Sequence, residues 1–420
     1  MRIRVEGRHP LNGIYQPAGN SNAAISLFAA SLLTEDAITL NNVPDTTTTR
    51  TMLKLAEKIG SVFTYVDKNT VTIRTAQLTK RALTTDDTEG FVSALLFLAP
   101  ILVRRQYVRM EIDFPLSRIR THLDALRDLG LELTVADGAI ECKSSTWDYK
   151  DIILTQSSVT ATSIVMMLAA CLGKETVIHN AASEPHVQEL AELLEMMGAQ
   201  IQGLPSNVIR IFGKPDLHGT EITISPDHIE AASVAAISAM TEGRIQIDGI
   251  NKTHFRVIDK IYRRLGINLD IDDHAIFVPR HESLTLSDRE EDVDLAIETM
   301  PWPNFPSDLV ATATVVATQA RGTSLIHEKL FDNRLLFVDK LNAMGAQIVL
   351  CDPHRAIVIG SSPLHGIYMD SPDVRTGLGM LAAALVAHGE TIIDNAQALN
   401  ITFDGVVTKL KALGAKIEIE

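Results

Sequence analysis

Six times along the chain an amphipathic segment ends in a glycine and runs into alternating apolar and polar residues. The segments are LAEKIGSVFTYV around Gly60, LDALRDLGLELTV around Gly130, LAELLEMMGAQIQG around Gly198, IDKIYRRLGINLDI around Gly266, VDKLNAMGAQIVL around Gly345 and VTKLKALGAKIEI around Gly414. Apolar residues three and four apart before each glycine predict a helix, and the period of two after it predicts a half-buried strand. Glycine at the junction is where a left-handed helix cap costs least. Successive glycines are 70, 68, 68, 79 and 69 residues apart, so one structural unit repeats.

A second pattern keeps the same period. Segments rich in small and apolar residues begin near Ser21, Phe91, Thr160, Ile229, Asp308 and Val374, and are followed by AITLNNV, YVRMEI, TVIHNA, RIQIDGI, TSLIHE and TIIDNA. A helix that is apolar all round is expected to be buried all round. Each repeat then reads strand, helix, strand, strand, helix, strand, an α/β arrangement. At 420 residues the chain exceeds what one core usually serves. Small residues on the inner helices allow three repeats to pack about one axis, so two domains are expected. The first takes residues 20–228 and the second takes 1–19 with 229–420, the strand RIRVEG completing the sixth repeat. The long interval between repeats four and five holds HESLTLSDREEDVDLAIETM, 281–300, which reads as an acidic surface loop.

Composition narrows the function. A net charge of −14 opposes a nucleic-acid surface, which needs clustered Lys and Arg. Cys142, Cys171 and Cys351 lie far apart and form no metal-ligand spacing, so they read as structural thiols of a reducing compartment. No secretory leader follows MRIRVEGRHPL, and the most apolar stretches, 91–103 and 374–388, are too short to span a bilayer. A cytoplasmic protein with neither metal nor cofactor is expected, binding small molecules and not nucleic acid or membrane. P-loop, GxSxG and HExxH motifs are absent.

The inner helices present their N-termini, which attract anions, after a strand in each repeat. Ser21, Ser158, Asp227 and Asp308 at such starts are also ordinary caps. Arg375, two residues into the apolar run RTGLGMLAAALVA, has no capping role and points to an anionic partner. Arg334 in FDNRLLFVDKL, and Arg118 and Arg120 in FPLSRIRTHLDAL, open second helices against the dipole, where a cation is disfavoured. Residues placed against local preference are functional candidates. His122 and His228, at helix starts, read as surface or capping groups.

The repeat, together with SNAAISLFAA, SEPHVQELAELLEMMGAQI, SPDHIEAAS, PWPNFPSD, FDNRLLFVDKLNAMGAQI and DVRTGLGMLAAALVAHGET, resembles the enolpyruvyl transferase family over essentially the whole chain. The resemblance implies two inside-out α/β barrel domains and a cleft that binds phosphoenolpyruvate and an acceptor alcohol. It implies transfer of enolpyruvyl to a hydroxyl of UDP-N-acetylglucosamine or a related nucleotide or sugar. On the family's motifs, Asp308 matches the general base, and Arg334 and Arg375 match the grip on the phosphoenolpyruvate carboxylate. Asn22 matches a sugar contact; Ser158 and Val159 match a diphosphate contact, with Thr160 where glycine is usual. Glu184 and Asp227 match motif positions without a distinct role.

The departures cluster on phosphate binding. Ser21 replaces the family's phosphate-binding lysine, Phe91 and Ile401 replace cations, and the loop DFPLSRIR is shortened and lacks its cysteine. Arg118 takes the loop arginine's place with a one-residue gap, and Arg50, Lys54, Arg104, Arg105 or Arg120 are alternative sources of charge. Three readings follow: an enolpyruvyl transferase with a rebuilt phosphate site, a divergent paralogue acting on a carboxylate that is not phosphorylated, and a non-catalytic binding protein on the same fold.

Overall fold

The structure, a computed structural model, describes residues 1–88, 90–287, 296–370 and 376–420. The chain divides into two compact domains, Gly19–Ser225 and Met1–Ala18 with Pro226–Glu420. The division falls three residues before the expected 228 because Asp227 belongs to the second domain: it caps the helix His228–Met240, and its backbone N–H donates to Ala18 O.

Six four-stranded sheets share one order. In repeat three, Trp147–Ile153 runs parallel to Gly173–His179, which pairs antiparallel with Val208–Phe212, itself antiparallel to Gln200–Gln202. Along the chain the order is strand, helix, strand, helix, strand, strand. This corrects the expected order. The strand after each inner helix leads directly into the outer helix, as His179 does into Pro185–Met196, and in repeats one to five the two remaining strands form a hairpin after the glycine.

The inner helices are apolar on every side because they lie at the centre. Val159–Leu172 is buried from Ala161 through Cys171, and His228–Met240 is buried almost throughout. Small residues bring their axes together: a Cβ on Gly379 would lie 2.6 Å from the Cβ of Ala311 on the neighbouring inner helix. Outer helices are two-sided, as in Lys252–Arg264, which buries Phe255, Ile258, Ile261 and Tyr262 and exposes its charges. Strands such as Ile38–Asn41 and Val71–Arg74 bury alternate residues against the helices. Helices inside and sheets outside make each domain an inside-out α/β barrel. All six junction glycines have positive φ, from 82° at Gly130 to 121° at Gly60, the conformation that an L-residue resists.

Three strands are supplied from elsewhere in the chain. Glu221–Thr223 pairs parallel with Ile38–Asn41 and begins repeat one's sheet. Asn12–Tyr15 does the same for Arg244–Asp248 in repeat four. Ile3–Glu6 lies between Glu390–Ile393 and Lys416–Ile419 in repeat six.

The 281–300 segment is not wholly a surface loop. Residues 288–295 lie outside the described residues, but Ala296–Thr299 is the first strand of repeat five, pairing with Leu325–Glu328. The alternation that buries Ile297 and Thr299 beside Ala296 accounts for it.

Candidate functional site

Repeat five brings an arginine, a carboxylate and a hydroxyl together. Ser307 and Asp308 occupy the single turn Ser307–Leu309 that opens the inner helix Val310–Gln319, after the chain turns through Pro306. Arg334 sits in the turns ahead of the short helix Val338–Ala343, four residues before the helical start at which it was expected. Its Nη1 donates to Ser307 Oγ at 2.5 Å and to Asp308 Oδ1 at 3.3 Å. The guanidinium lies over the Phe331 ring, 4.2 Å from its centroid.

The Arg334 side chain is 8% exposed, whereas that of Asp308 is 49% exposed. Arg334 Nε is buried with no partner among the described residues. With Nη1 engaged, the other edge of the guanidinium, formed by Nε and Nη2, makes no hydrogen bond among the described residues. That edge is a planar fork of donors matched to a carboxylate. Asp308 can accept a proton beside it.

Repeat four adds a buried acid group. Asp227 Oδ1 caps its helix by accepting from Ile229 and Glu230 N–H groups at 2.8 and 3.2 Å. Glu230 Oε1 accepts from the Tyr15 hydroxyl at 2.5 Å and from Lys409 Nζ at 2.8 Å. Burial first, and then the charge of Glu230, push the Asp227 carboxyl up to about 7, with Asp308 adding in the same direction. Glu230 is raised by burial and opposed by Lys409. Lys409 pairs with Glu230, so of the two raised carboxyls Asp227 is the one without a cation beside it in this cluster. Beside this cluster His228 and His254 pack edge-on against Trp302, with centroids 5.6 and 6.4 Å away. Burial lowers His254 to about 4.

In the first domain, Ser21 is 3% exposed and its hydroxyl lies 3.2 Å from that of Thr46, which caps Thr47–Ile59 in a capping box with Thr49. Asn20, not Ser21, caps the inner helix by accepting from Ala23 N–H at 2.9 Å. Asn22 is exposed in the first turn. In repeat three Ser158 caps Val159–Leu172, and Thr160 Oγ1 lies 2.6 Å from His122 Nε2, which brings the starts of two helices together. Val159 is half-buried between them in sequence. Arg118 is exposed in the turn Leu116–Ile119, and Arg120 is 82% exposed, 3.8 Å from Asp124.

Several expectations change. Arg104 donates to the carbonyls of Leu32, Thr34, Thr75 and Ala76, and Arg105 to that of Leu78. Arg50 pairs with Asp45 at 2.5 Å. His122 and His228 are buried and not surface groups. Arg375 lies outside the described residues. Ser307, Glu328, Tyr15, Glu230 and Lys409 escaped the sequence reading, since only their spatial neighbours distinguish them. Among the described residues no group of three or more His, Cys, Asp or Glu side chains could hold a metal ion, and no helix is long and apolar enough to cross a membrane.

A fold of two inside-out barrels with an arginine fork beside a carboxylate defines a class, and comparison with known proteins identifies it. The family model described as EPSP synthase (3-phosphoshikimate 1-carboxyvinyltransferase) matches residues 5–410, and the chain belongs to this enolpyruvyl transferase family. More particularly, it is 37% identical over 420 residues to the UDP-N-acetylglucosamine 1-carboxyvinyltransferase of Treponema denticola, covering 99% of this chain and 98% of the relative. The Bradyrhizobium diazoefficiens protein of that name is 38% identical over 418 residues, covering 99% and 97%. The enolpyruvyl transferase NikO from Streptomyces tendae superposes with a TM-score of 0.88 at 20% identity, covering 99% of this chain and 98% of that one. EPSP synthase from Acinetobacter baumannii superposes at 0.76 with 17% identity, covering 100% and 99%. These two likenesses show the fold.

Proposed function

We propose that the protein is an enzyme that transfers the carboxyvinyl group of phosphoenolpyruvate to a hydroxyl of UDP-N-acetylglucosamine or a closely related nucleotide sugar. The observation that carries this reading is the Arg334 fork held beside a half-exposed Asp308. Full-length relatives bearing that activity in their names support the choice of acceptor.

The chemistry uses these groups in two stages. Arg334 binds the phosphoenolpyruvate carboxylate through Nε and Nη2 and orients C2. The acceptor oxygen bonds to C2 as its proton passes to Asp308, and C3 takes up a proton to become a methyl group. C2 is then tetrahedral and still bears phosphate. Loss of a proton from C3 and cleavage of the C2–O bond to phosphate restore the double bond, giving the enol ether and inorganic phosphate. Incubation with phosphoenolpyruvate and UDP-N-acetylglucosamine should release inorganic phosphate; no release across a panel of nucleotide sugars would count against the reading.

One observation favours a second reading. The first helix start of the first domain is uncharged, because Ser21 is held by Thr46, and Arg104 and Arg105 are committed to carbonyls. A divergent paralogue acting on an unphosphorylated carboxylate would fit such a site. Thermal-shift screening separates the two: carboxylates alone stabilise a paralogue of that kind, whereas a transferase responds to phosphoenolpyruvate above pyruvate.

A further inference from the structure

Glu328 is the last residue of the strand Gly322–Glu328 and is fully buried; it bonds to the groups that hold Arg334 and not to Arg334 or Asp308. Its Oε1 accepts from the backbone N–H groups of Leu330 and Phe331 at 2.8 and 3.1 Å. Those bonds fold the chain back after the strand and set the residue whose ring lies under the guanidinium. Its Oε2 accepts from the Ser307 hydroxyl, whose oxygen in turn accepts from Arg334 Nη1 at 2.5 Å. One carboxylate therefore fixes the ring beneath Arg334 and the hydroxyl at its end.

We infer that Glu328 is a positioning residue that acts through Ser307 to aim the Nε–Nη2 edge of Arg334 at a ligand carboxylate. The direction of the bonds matters. A Ser307 hydroxyl that gives its hydrogen to an anion is a stronger acceptor, because hydrogen bonds in a chain polarise one another. That draws Nη1 onto Ser307 and Asp308 and leaves the other edge of the fork free, with Nε buried and unpartnered among the described residues. The arrangement directs two backbone donors and a buried hydroxyl onto a group outside the reacting atoms, as a supporting shell does. The inference rests on the proposed carboxylate-binding role of Arg334 and deepens it.

The test uses the full chain with Ser307→Ala, Ser307→Thr, Glu328→Gln and the double variant Ser307→Ala/Glu328→Gln. Calorimetric titrations with phosphoenolpyruvate, pyruvate and, separately, UDP-N-acetylglucosamine are compared with wild type, and each variant's unfolding midpoint is checked. Loss of a charge-assisted link should weaken phosphoenolpyruvate and pyruvate binding about tenfold in Ser307→Ala and Glu328→Gln. Ser307→Thr, which keeps the hydroxyl, should stay within about twofold, and the double variant should be no worse than the singles because both act on one chain of bonds. The nucleotide sugar should bind as in wild type.

Equal binding by Ser307→Ala and Ser307→Thr, or losses that multiply in the double variant, would overturn the inference. Should Ser307→Ala fail to fold, Glu328→Gln against Ser307→Thr decides in the same way. A wild type that binds pyruvate but releases no phosphate overturns the proposed transfer and leaves the role of Glu328 measurable by pyruvate. A wild type that binds no carboxylate overturns both.

Discussion

Burial and the charge of Glu230 raise the Asp227 carboxyl from 3.8 to about 7, so the folded chain retains a proton there that the unfolded chain gives up. A group raised in this way contributes stability below its unfolded value, and that contribution is lost as pH rises through the folded value. Stability should therefore fall between about pH 4 and about pH 7 through this site. Asp227→Asn stays neutral and can still accept from Ile229 and Glu230, so its melting temperature should fall less steeply with pH than that of wild type. Parallel slopes in calorimetric scans would rule the assignment out. Asp308→Asn should lower turnover by about a hundredfold or more, the usual effect of losing a positioned base, measured as phosphate release. Arg334 stood out in the sequence as a cation where a helix was expected to begin, although it lies in the turns ahead of Val338–Ala343, and Asp308 was singled out by the family resemblance and not by its place at a helix start. Tyr15 and Lys409 were not legible, because they reach Glu230 across 215 and 179 residues. Ser307 and Glu328 were not legible either, because only the fold joins them to Arg334.

At the scale of elements, the junction glycines separate conformational cost from crowding. Gly198 has φ of +117°, and a Cβ there meets nothing closer than 3.5 Å. Gly198→Ala should thus lose about 1 kcal/mol, from backbone strain alone. Gly379→Ala differs, because its Cβ would collide with Ala311 at 2.6 Å. Forcing two inner helices apart should cost about 1–3 kcal/mol. Urea unfolding of both variants checks the two values. The helix-to-glycine-to-strand pattern was legible because a positive-φ glycine and a change of period mark one point in the chain. The order of elements was not, since the second hairpin strand alternates like any other strand and its side of the outer helix is set by pairing. Repeat two did hold a clue: Asp137 and Gly138, with φ of 52° and 69°, form an Asp-Gly turn between Glu132–Ala136 and Ala139–Lys143, after the outer helix Arg120–Asp128.

At the scale of the whole molecule, Ile3–Glu6 is the strand on which Lys416–Ile419 depends, since the latter has no other neighbour in its sheet among the described residues. Removing residues 1–6 should abolish amide-exchange protection in Lys416–Ile419 while the sheets of Gly19–Ser225 keep theirs, as read by hydrogen exchange with mass spectrometry. The same pairing sets a timetable during synthesis. Gly19–Ser225 is one continuous stretch and can complete its three sheets once Ser225 has emerged. Ile3–Glu6 must wait for neighbours that begin at Glu390, a delay of about 20 to 80 s at typical elongation rates of about 5–20 residues per second. Until then Ile3 and Val5, both fully buried in the finished sheet, ride on the nascent chain as an unpaired strand. The second domain is therefore the late stage of biogenesis, and Ile3 and Val5 are among the residues left to be shielded until it completes.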